Sequence, residues 1–525
     1  MNIADKISQI AQQFPEKTSV ILPEKKGKEY IYHGITFSQL EKKINSYCYF
    51  LKEKGLKKDQ KTLLFVKPSL EFHALVFSLF KMGVTPILID PGMGLKNLKI
   101  AVKEARPDMM IAEPIVFFLK AIFRDAFSSL KRGLSTRDLK KCKHSDQTYP
   151  SRTAKHAAIL FTSGGTGRPK GVVYTHKIFD TQTKILQEMF NLSAKEVDLP
   201  GFPLFSLFTL SMGMTSVIPD MDASKPKKAA PEKLVKNIND NQATFLAGSP
   251  AIWENVLNYC KENMLTLPSV KYLVMFGAPV RNYIHEGFKD ILPNGTTYTP
   301  YGATESLPVA NISGRIILNE TAHMTDLGFG TCVGEPAPGI KIKIVEIQDG
   351  EIKNLQNVKE LPPGEIGEII VQGDVVTREY LNAEKETNLA KIKDGETFWH
   401  RIGDMGYFDS AGRLWFCGRK AHRIELENGT LLCPIPCEAI FNQHQAVSKT
   451  ALIIFKNHPA IVVERKTPKE DKGKLRMELL KLGSEHPHTE IIKDIYFCDK
   501  FPVDIRHNIK IDRLKLRDMA EEGKL

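Results

Sequence analysis

The chain has 525 residues, of which 42% are hydrophobic and 26% charged, and a formal net charge of +12. At about 100–200 residues per domain this length calls for several domains with a sizeable core, and the ordinary composition excludes a disordered, fibrous or collagen-like chain. The positive excess suits either a polyanionic partner or a soluble enzyme with scattered lysines. With no long basic block interleaved with aromatic residues, no nucleic acid partner is expected, while a nucleotide substrate fits the charge.

From the N-terminus, "MNIADKISQIAQQFPEK" is polar and amphipathic and lacks the apolar centre of a signal peptide. No later run approaches ~18 uninterrupted apolar residues, so no integral membrane segment is expected. "KTLLFV" and "TPILID" read as buried strands, with "SLEFHALVFSLFKMG" between them as a helix stopped at Gly83. The same rhythm returns in "DMMIAE", "AAILFT", "TFLAGS" and "KYLVMFG", and such alternation implies parallel sheets covered by helices. The greasiest helical stretch, "IVFFLKAIFRDAF" at 115–127, reads by default as a buried helix; a lipid-facing surface and an acyl tunnel are its alternatives.

From about residue 340 the character changes. "GIKIKIVEI", "GEIGEIIVQG" and "MGYFDSAGRLWFCGR" are short strands with glycine turns and read as a β-rich subdomain. Past Arg419 a smaller α+β segment follows: a helix start at "PCEAIFNQH", strands at "TALIIF" and "AIVVER", and a charged loop leading into an exposed helix in "ERKTPKEDKGKLRMELLKL". The fold class is α/β, and the expected boundary divides an N-terminal domain, 1–418, from a C-terminal domain, 419–525. The eight cysteines, at 48, 142, 260, 332, 417, 433, 437 and 498, form no CxxC pair and no zinc set, so reduced thiols in a cytoplasmic protein are expected.

Between "AAILFT" and "GVVYTH" lies a loop that cannot be core. Gly164, Gly165 and Gly167 let the backbone turn tightly and expose its N–H groups. Thr162, Ser163 and Thr166 add hydroxyl donors, and Arg168 and Lys170 add positive charge. Converging N–H groups and cations make an anion site suited to a phosphate chain. A Walker A loop needs Gly before its Lys and Ser or Thr after it; here Pro169 precedes Lys170 and Gly171 follows, so a P-loop NTPase is rejected.

The order Thr-Ser-Gly-Gly-Thr-Gly-Arg-Pro-Lys-Gly resembles the phosphate loop of the adenylate-forming superfamily, which includes acyl-CoA synthetases, luciferases and peptide-synthetase adenylation domains. Three further blocks resemble that family in the expected order: "TPYGATES" (299–306), "HRIGDMGYFDSAGRLWFCGR" (400–419) and "FPVDIRHNIKIDRLKLR" (501–517). The resemblance implies an ATP-binding enzyme. Tyr301 would lie against adenine, with Gly302 beside it among the nucleotide-binding residues and main chain of Gly277, Ala278 and Pro279 wrapping the base. Thr304 would meet phosphate, Glu305 would help hold Mg²⁺, and Asp404 and Arg419 would hold the ribose. Lys510 would bridge the carboxylate and the α-phosphate during adenylation. Ile402 stands where the family usually has Thr, and Ile509 where it has Gly. The implied fold is a large N-terminal domain of two α/β sheet subdomains plus a β-rich subdomain, with a small mobile C-terminal domain.

A narrower resemblance covers "TPYGATESLPV", "GDMGYFDSAGRLWFCGRKAHRI", "PCEAIF" and "FPVDIRHNIKID": the olefin-pathway β-lactone synthetases. It implies activation of a long-chain 2-alkyl-3-hydroxy fatty acid as an acyl-AMP, then attack by the substrate's own 3-hydroxyl. His422 and His507 are candidate bases for that proton. Phe202, Phe205, Phe208, Met212 and Met214 are candidate walls for the acyl chain, with core packing as their default reading. A long-chain acyl-CoA or acyl-carrier ligase is the alternative, weakened by Glu425 where such ligases usually carry Lys. A non-catalytic nucleotide-binding or membrane-associated scaffold is disfavoured by the presence of Thr304, Glu305, Asp404 and Lys510. Association with other lipid-pathway enzymes or a membrane surface stays open.

Overall fold

The computed structural model describes residues 2–27, 29–162, 168–467, 471–502 and 511–525. It is mixed α/β, with a large multi-sheet N-terminal part and a smaller C-terminal part.

The sequence rhythm between residues 61 and 174 folds as a six-stranded sheet. Its order is Arg132–Ser135, Met109–Ala112, Lys61–Phe65, Thr85–Ile89, Ala158–Thr162, Lys170–Tyr174. Neighbours are parallel except the last pair, which is antiparallel with Thr162 opposite Lys170. The helix Leu70–Met82 starts where the Ser69 hydroxyl accepts from the Phe72 N–H, 3.2 Å, and ends where Gly83 turns left-handed at φ 69°. All its residues from Phe72 onward are buried, which is why its apolar positions run round every face.

A second, longer sheet carries a parallel run of Thr215–Val217, Val197–Pro200, Phe245–Gly248, Tyr272–Met275 and Thr296–Ala303. At its far side the chain turns back as an antiparallel hairpin, Thr296–Ala303 with Ser306–Ser313. The β-rich segment does not stand apart. Thr331–Pro336 pairs with that hairpin through Ala310 and Asn311, so the strands Lys341–Val345, Gly367–Gln372, Thr397–Phe408 and Leu414–Arg419 continue the same sheet. The C-terminal strands Val447–Phe455, His458–Arg465 and Asp494–Cys498 form their own sheet, flanked by the helices Pro434–Asn442, Lys472–Ser484 and Arg513–Glu521.

The stretch 115–127 departs from its default reading. Only Val116–Ile122 is helical, and none of those residues is fully buried. Val116, Phe117, Leu119 and Phe123 pack on the sheet, while Ile115, Phe118 and Ile122 face outward. A seven-residue helix lying on one sheet face has room to bury only one side.

Burial also sets an acid sensitivity. His73, His176 and His285 are buried, and that burial pushes each imidazole down to about 4. Burial does the same to His422, where Arg513 and Arg419 add to the effect. These groups bind protons in the unfolded chain but not in the native one between their ordinary value near 6.5 and about 4, so stability falls as pH drops through that window. Buried Asp198, pushed up to about 7, takes up a native-state proton and offsets part of the loss. The melting temperature is therefore expected to fall continuously from about pH 6.5 to about pH 4; a flat profile would contradict this assignment.

Candidate active site

The hairpin Thr296–Ala303/Ser306–Ser313 places Thr304 and Glu305 in the two-residue turn between its strands, at the carboxyl end of a strand that began in the parallel sheet. Such ends are where α/β sheets hold ligands. Gly302 precedes the turn. A Cβ there would come within 2.6 Å of the Ser306 carbonyl oxygen, so only glycine closes this hairpin without displacement.

One residue back, the Tyr301 hydroxyl donates to Asp404 Oδ2 at 2.6 Å. Arg419 Nη1 donates to Asp404 Oδ1 at 2.7 Å and to the Ile402 carbonyl at 3.3 Å. Sheet register brings the last two together, since Asp404 on Thr397–Phe408 lies opposite Arg419 on Leu414–Arg419. Asp404 is buried and Arg419 is partly exposed. The Asp404 charge holds the guanidinium more firmly protonated, and burial raises the Tyr301 phenol well above its ordinary value.

Beside this triad the Tyr380 hydroxyl donates to Glu305 Oε1 at 2.7 Å. The Thr377 N–H and hydroxyl donate to the Glu305 carbonyl at 2.8 and 3.1 Å, and the Tyr174 hydroxyl donates to the Thr304 carbonyl at 2.6 Å. The Leu381 N–H donates to the Gly171 carbonyl at 2.7 Å, which pins this segment to the strand that leaves the glycine-rich loop. Lys170 thereby lies 5.1 Å over the Tyr380 ring. Arg168 points elsewhere and pairs with Glu104.

Lys391 completes the cluster. It donates to the Thr377 carbonyl and lies 3.1 Å from His400 Nδ1, its cross-strand partner. Burial pulls its ammonium down to about 7, against the opposing pull of Glu305. His400 is held well below its ordinary value by burial and by Lys391.

The segment 276–279 follows the strand Tyr272–Met275, and Gly277 takes a left-handed φ of 90°. Phe276 stacks on Phe205 at 5.8 Å and meets Phe202 edge-on at 6.0 Å between ring centroids. Phe208 continues this wall against Phe205, 5.9 Å away. Phe202, Phe205 and Phe208 stay partly accessible, whereas Met212 and Met214 are buried in the core, as their default reading had it.

Ser163, Gly164, Gly165, Thr166, Gly167, His507 and Lys510 lie outside the described residues, as does the side chain of Thr162. Their flanks are described. Thr162 pairs with Lys170, and the Asp512 N–H donates to the Pro502 carbonyl at 3.0 Å. Arg513 makes a two-pronged ion pair with buried Glu438, and both Arg513 and Arg419 act electrostatically on His422. Among the described residues no three His, Cys, Asp or Glu side chains are grouped to hold a metal ion, so Glu305 would need phosphate oxygens or water to complete a magnesium shell.

Sequence reasoning missed Tyr174, Thr377, Tyr380, Lys391 and His400. Only Lys391 and His400 had a local signal: "KIKDGETFWH" carries an Asp-Gly turn between alternating residues, a hairpin pattern that places the two side by side. It missed as well the buried Arg401–Glu368 pair, 2.7 Å, which Lys420 joins at 3.1 Å and which anchors the start of the C-terminal part to the β-rich strands.

The family model for the AMP-binding enzyme matches residues 7–381. An olefin beta-lactone synthetase from Xanthomonas campestris pv. campestris is 36% identical, over 100% of this chain and 98% of its own length. One from Stenotrophomonas maltophilia is 35% identical, over 98% of this chain and 97% of its own. Among solved structures, o-succinylbenzoate coenzyme A synthetase from Bacillus subtilis, in complex with ATP and magnesium ion, superposes with a TM-score of 0.78 at 19% identity, covering 98% of this chain and 99% of that one.

Proposed function

Since the chain belongs to the AMP-binding enzyme family, we propose that it is an ATP-dependent β-lactone synthetase acting on a long-chain 2-alkyl-3-hydroxy acid. The observation that carries this reading is the end-to-end similarity to two olefin beta-lactone synthetases. The geometry supports it: a polar cluster around Asp404 and Glu305, and a phenylalanine wall that meets the 276–279 segment.

A free carboxylate is a poor electrophile, and ATP supplies the leaving group. The carboxylate oxygen attacks the α-phosphorus, pyrophosphate departs, and an acyl-AMP forms. Catalysis here is positioning plus charge neutralisation. Asp404 accepts from the ribose hydroxyls, with Arg419 and Tyr301 fixing its two oxygens. The loop 163–167 with Lys170 cradles the outer phosphates. Tyr380 and the Thr377 contacts hold Glu305 in the turn, where one carboxylate beside phosphate oxygens is the usual magnesium arrangement. Magnesium, when bound, neutralises phosphate charge. Lys510 bridges the carboxylate and the α-phosphate.

In the second step the 3-hydroxyl oxygen bonds to the acyl carbon, the bond from that carbon to the phosphate oxygen breaks, and AMP leaves. The hydroxyl proton needs an acceptor. His422 is held neutral by burial and by the charges of Arg513 and Arg419, so its imidazole is unprotonated at neutral pH. Adenylation makes a checkable prediction about atoms. With the acid's carboxylate labelled with heavy oxygen, the released AMP should carry one labelled oxygen and the pyrophosphate none. Label in inorganic phosphate, or unlabelled AMP, would refute the acyl-AMP route.

A further inference from the structure

The helix Val116–Ile122 has two unlike faces. One packs Val116, Phe117 and Leu119 onto the sheet, joined by Phe123 just beyond it. The other presents Ile115, Phe118 and Ile122, which are 70%, 67% and 69% exposed. Spacings of three and four put these on one side of the helix, one above another. Exposed large apolar residues usually occur singly, so three on one face call for an explanation. The helix leaves the carboxyl end of Met109–Ala112, and nothing in the adenylation chemistry engages it.

The surroundings are cationic. Residues 94–132 contain eight Lys and Arg against four Asp and Glu. Lys120 lies within the helix and Arg124 two residues past it, exposed. On the neighbouring helix Gly94–Ala105, Lys99 reaches 4.7 Å over the Phe123 ring, and Lys103 pairs with Asp125 at 3.6 Å. Asp125 and Asp108 temper this charge without balancing it.

We propose that the Ile115–Phe118–Ile122 face docks this protein onto an anionic phospholipid bilayer, the apolar side chains entering the headgroup boundary while the flanking Lys and Arg meet lipid phosphates. Charge complementarity selects this occupant. A short helix with three exposed apolar side chains and cations beside them is the pattern of an interfacial anchor, and each cation near such a surface adds to the attraction. A second protein chain would need a wider apolar face, since stable interfaces bury about 800 Å² per partner. Docking needs neither ATP nor acid, so it stands or falls apart from the lactone reading.

The experiment is co-sedimentation of the full-length protein with vesicles of phosphatidylcholine containing phosphatidylglycerol, against vesicles of phosphatidylcholine alone. The protein should pellet with the anionic vesicles, much less with the neutral ones, and high salt should release it. Phe118→Ser/Ile122→Ser should lower the vesicle partition coefficient by about tenfold or more. Lys120→Glu/Arg124→Glu should do the same for anionic vesicles only. Both variants alter solvent-exposed or rim positions, so an unchanged melting temperature and unchanged pyrophosphate exchange with a short water-soluble acid are expected. Wild-type protein that stays in the supernatant, or variants that pellet as well as wild type, would overturn the proposal. A concentration-dependent dimer abolished by Phe118→Ser/Ile122→Ser, with no vesicle binding, would assign the face to a second copy instead.

Discussion

Replacing Lys510 by Ala is expected to lower pyrophosphate release by about 10²–10³-fold while ATP still binds, because a cation aimed at charge that builds in the transition state acts mainly on the chemical step. The carboxylate and the α-phosphate are both anionic, and their approach costs energy unless a positive group lies between them. Lys510 lies outside the described residues, while its chain neighbours Asp512 and Arg513 lie within them. Asp512 is tied back to Pro502, and Arg513 is clamped on Glu438 while acting on His422 at the edge of the Arg419 cluster. Asp404→Asn offers the contrast. It removes the charge that Arg419 and Tyr301 converge on, so the KM for ATP should rise about tenfold or more with a smaller change in kcat. Pyrophosphate exchange at saturating and limiting ATP separates the two. Undiminished turnover in Lys510→Ala would remove that lysine from the mechanism.

The strands of the parallel sheets were legible because each is a short apolar run bounded by a turn. "KTLLFV", "TPILID", "TFLAGS" and "KYLVMFG" all fold as read, and Gly83 ends its helix as expected. Tyr301 lies far in the chain from Asp404 and Arg419, yet the three meet, because a hairpin and an antiparallel pair bring them there. Tyr380 could not be read from its neighbours. It reaches Glu305 only because residues 379–381 lie along the strand Lys170–Tyr174, a pairing between distant parts of the chain that no local pattern encodes. Stretch 115–127 failed differently. Apolar residues on every side of a short helix do not say which side is covered, and half of this one is not.

The second step is where a β-lactone synthetase parts from thiol-using ligases. The 3-hydroxyl is tethered to the carbonyl it attacks, so closure is unimolecular and carries no cost for bringing in a second reactant. Four-membered ring strain opposes closure, and the mixed anhydride and a site that holds the hydroxyl against the carbonyl offset it. Such a site has no need of a second substrate. The decisive measurement is mass spectrometry of the product after incubation with ATP, magnesium and a long-chain 2-alkyl-3-hydroxy acid in the absence of coenzyme A. The expected product is lighter than the acid by one water, bears a β-lactone carbonyl and forms in step with AMP. A product that forms only when coenzyme A is added, as a thioester, would contradict lactone closure.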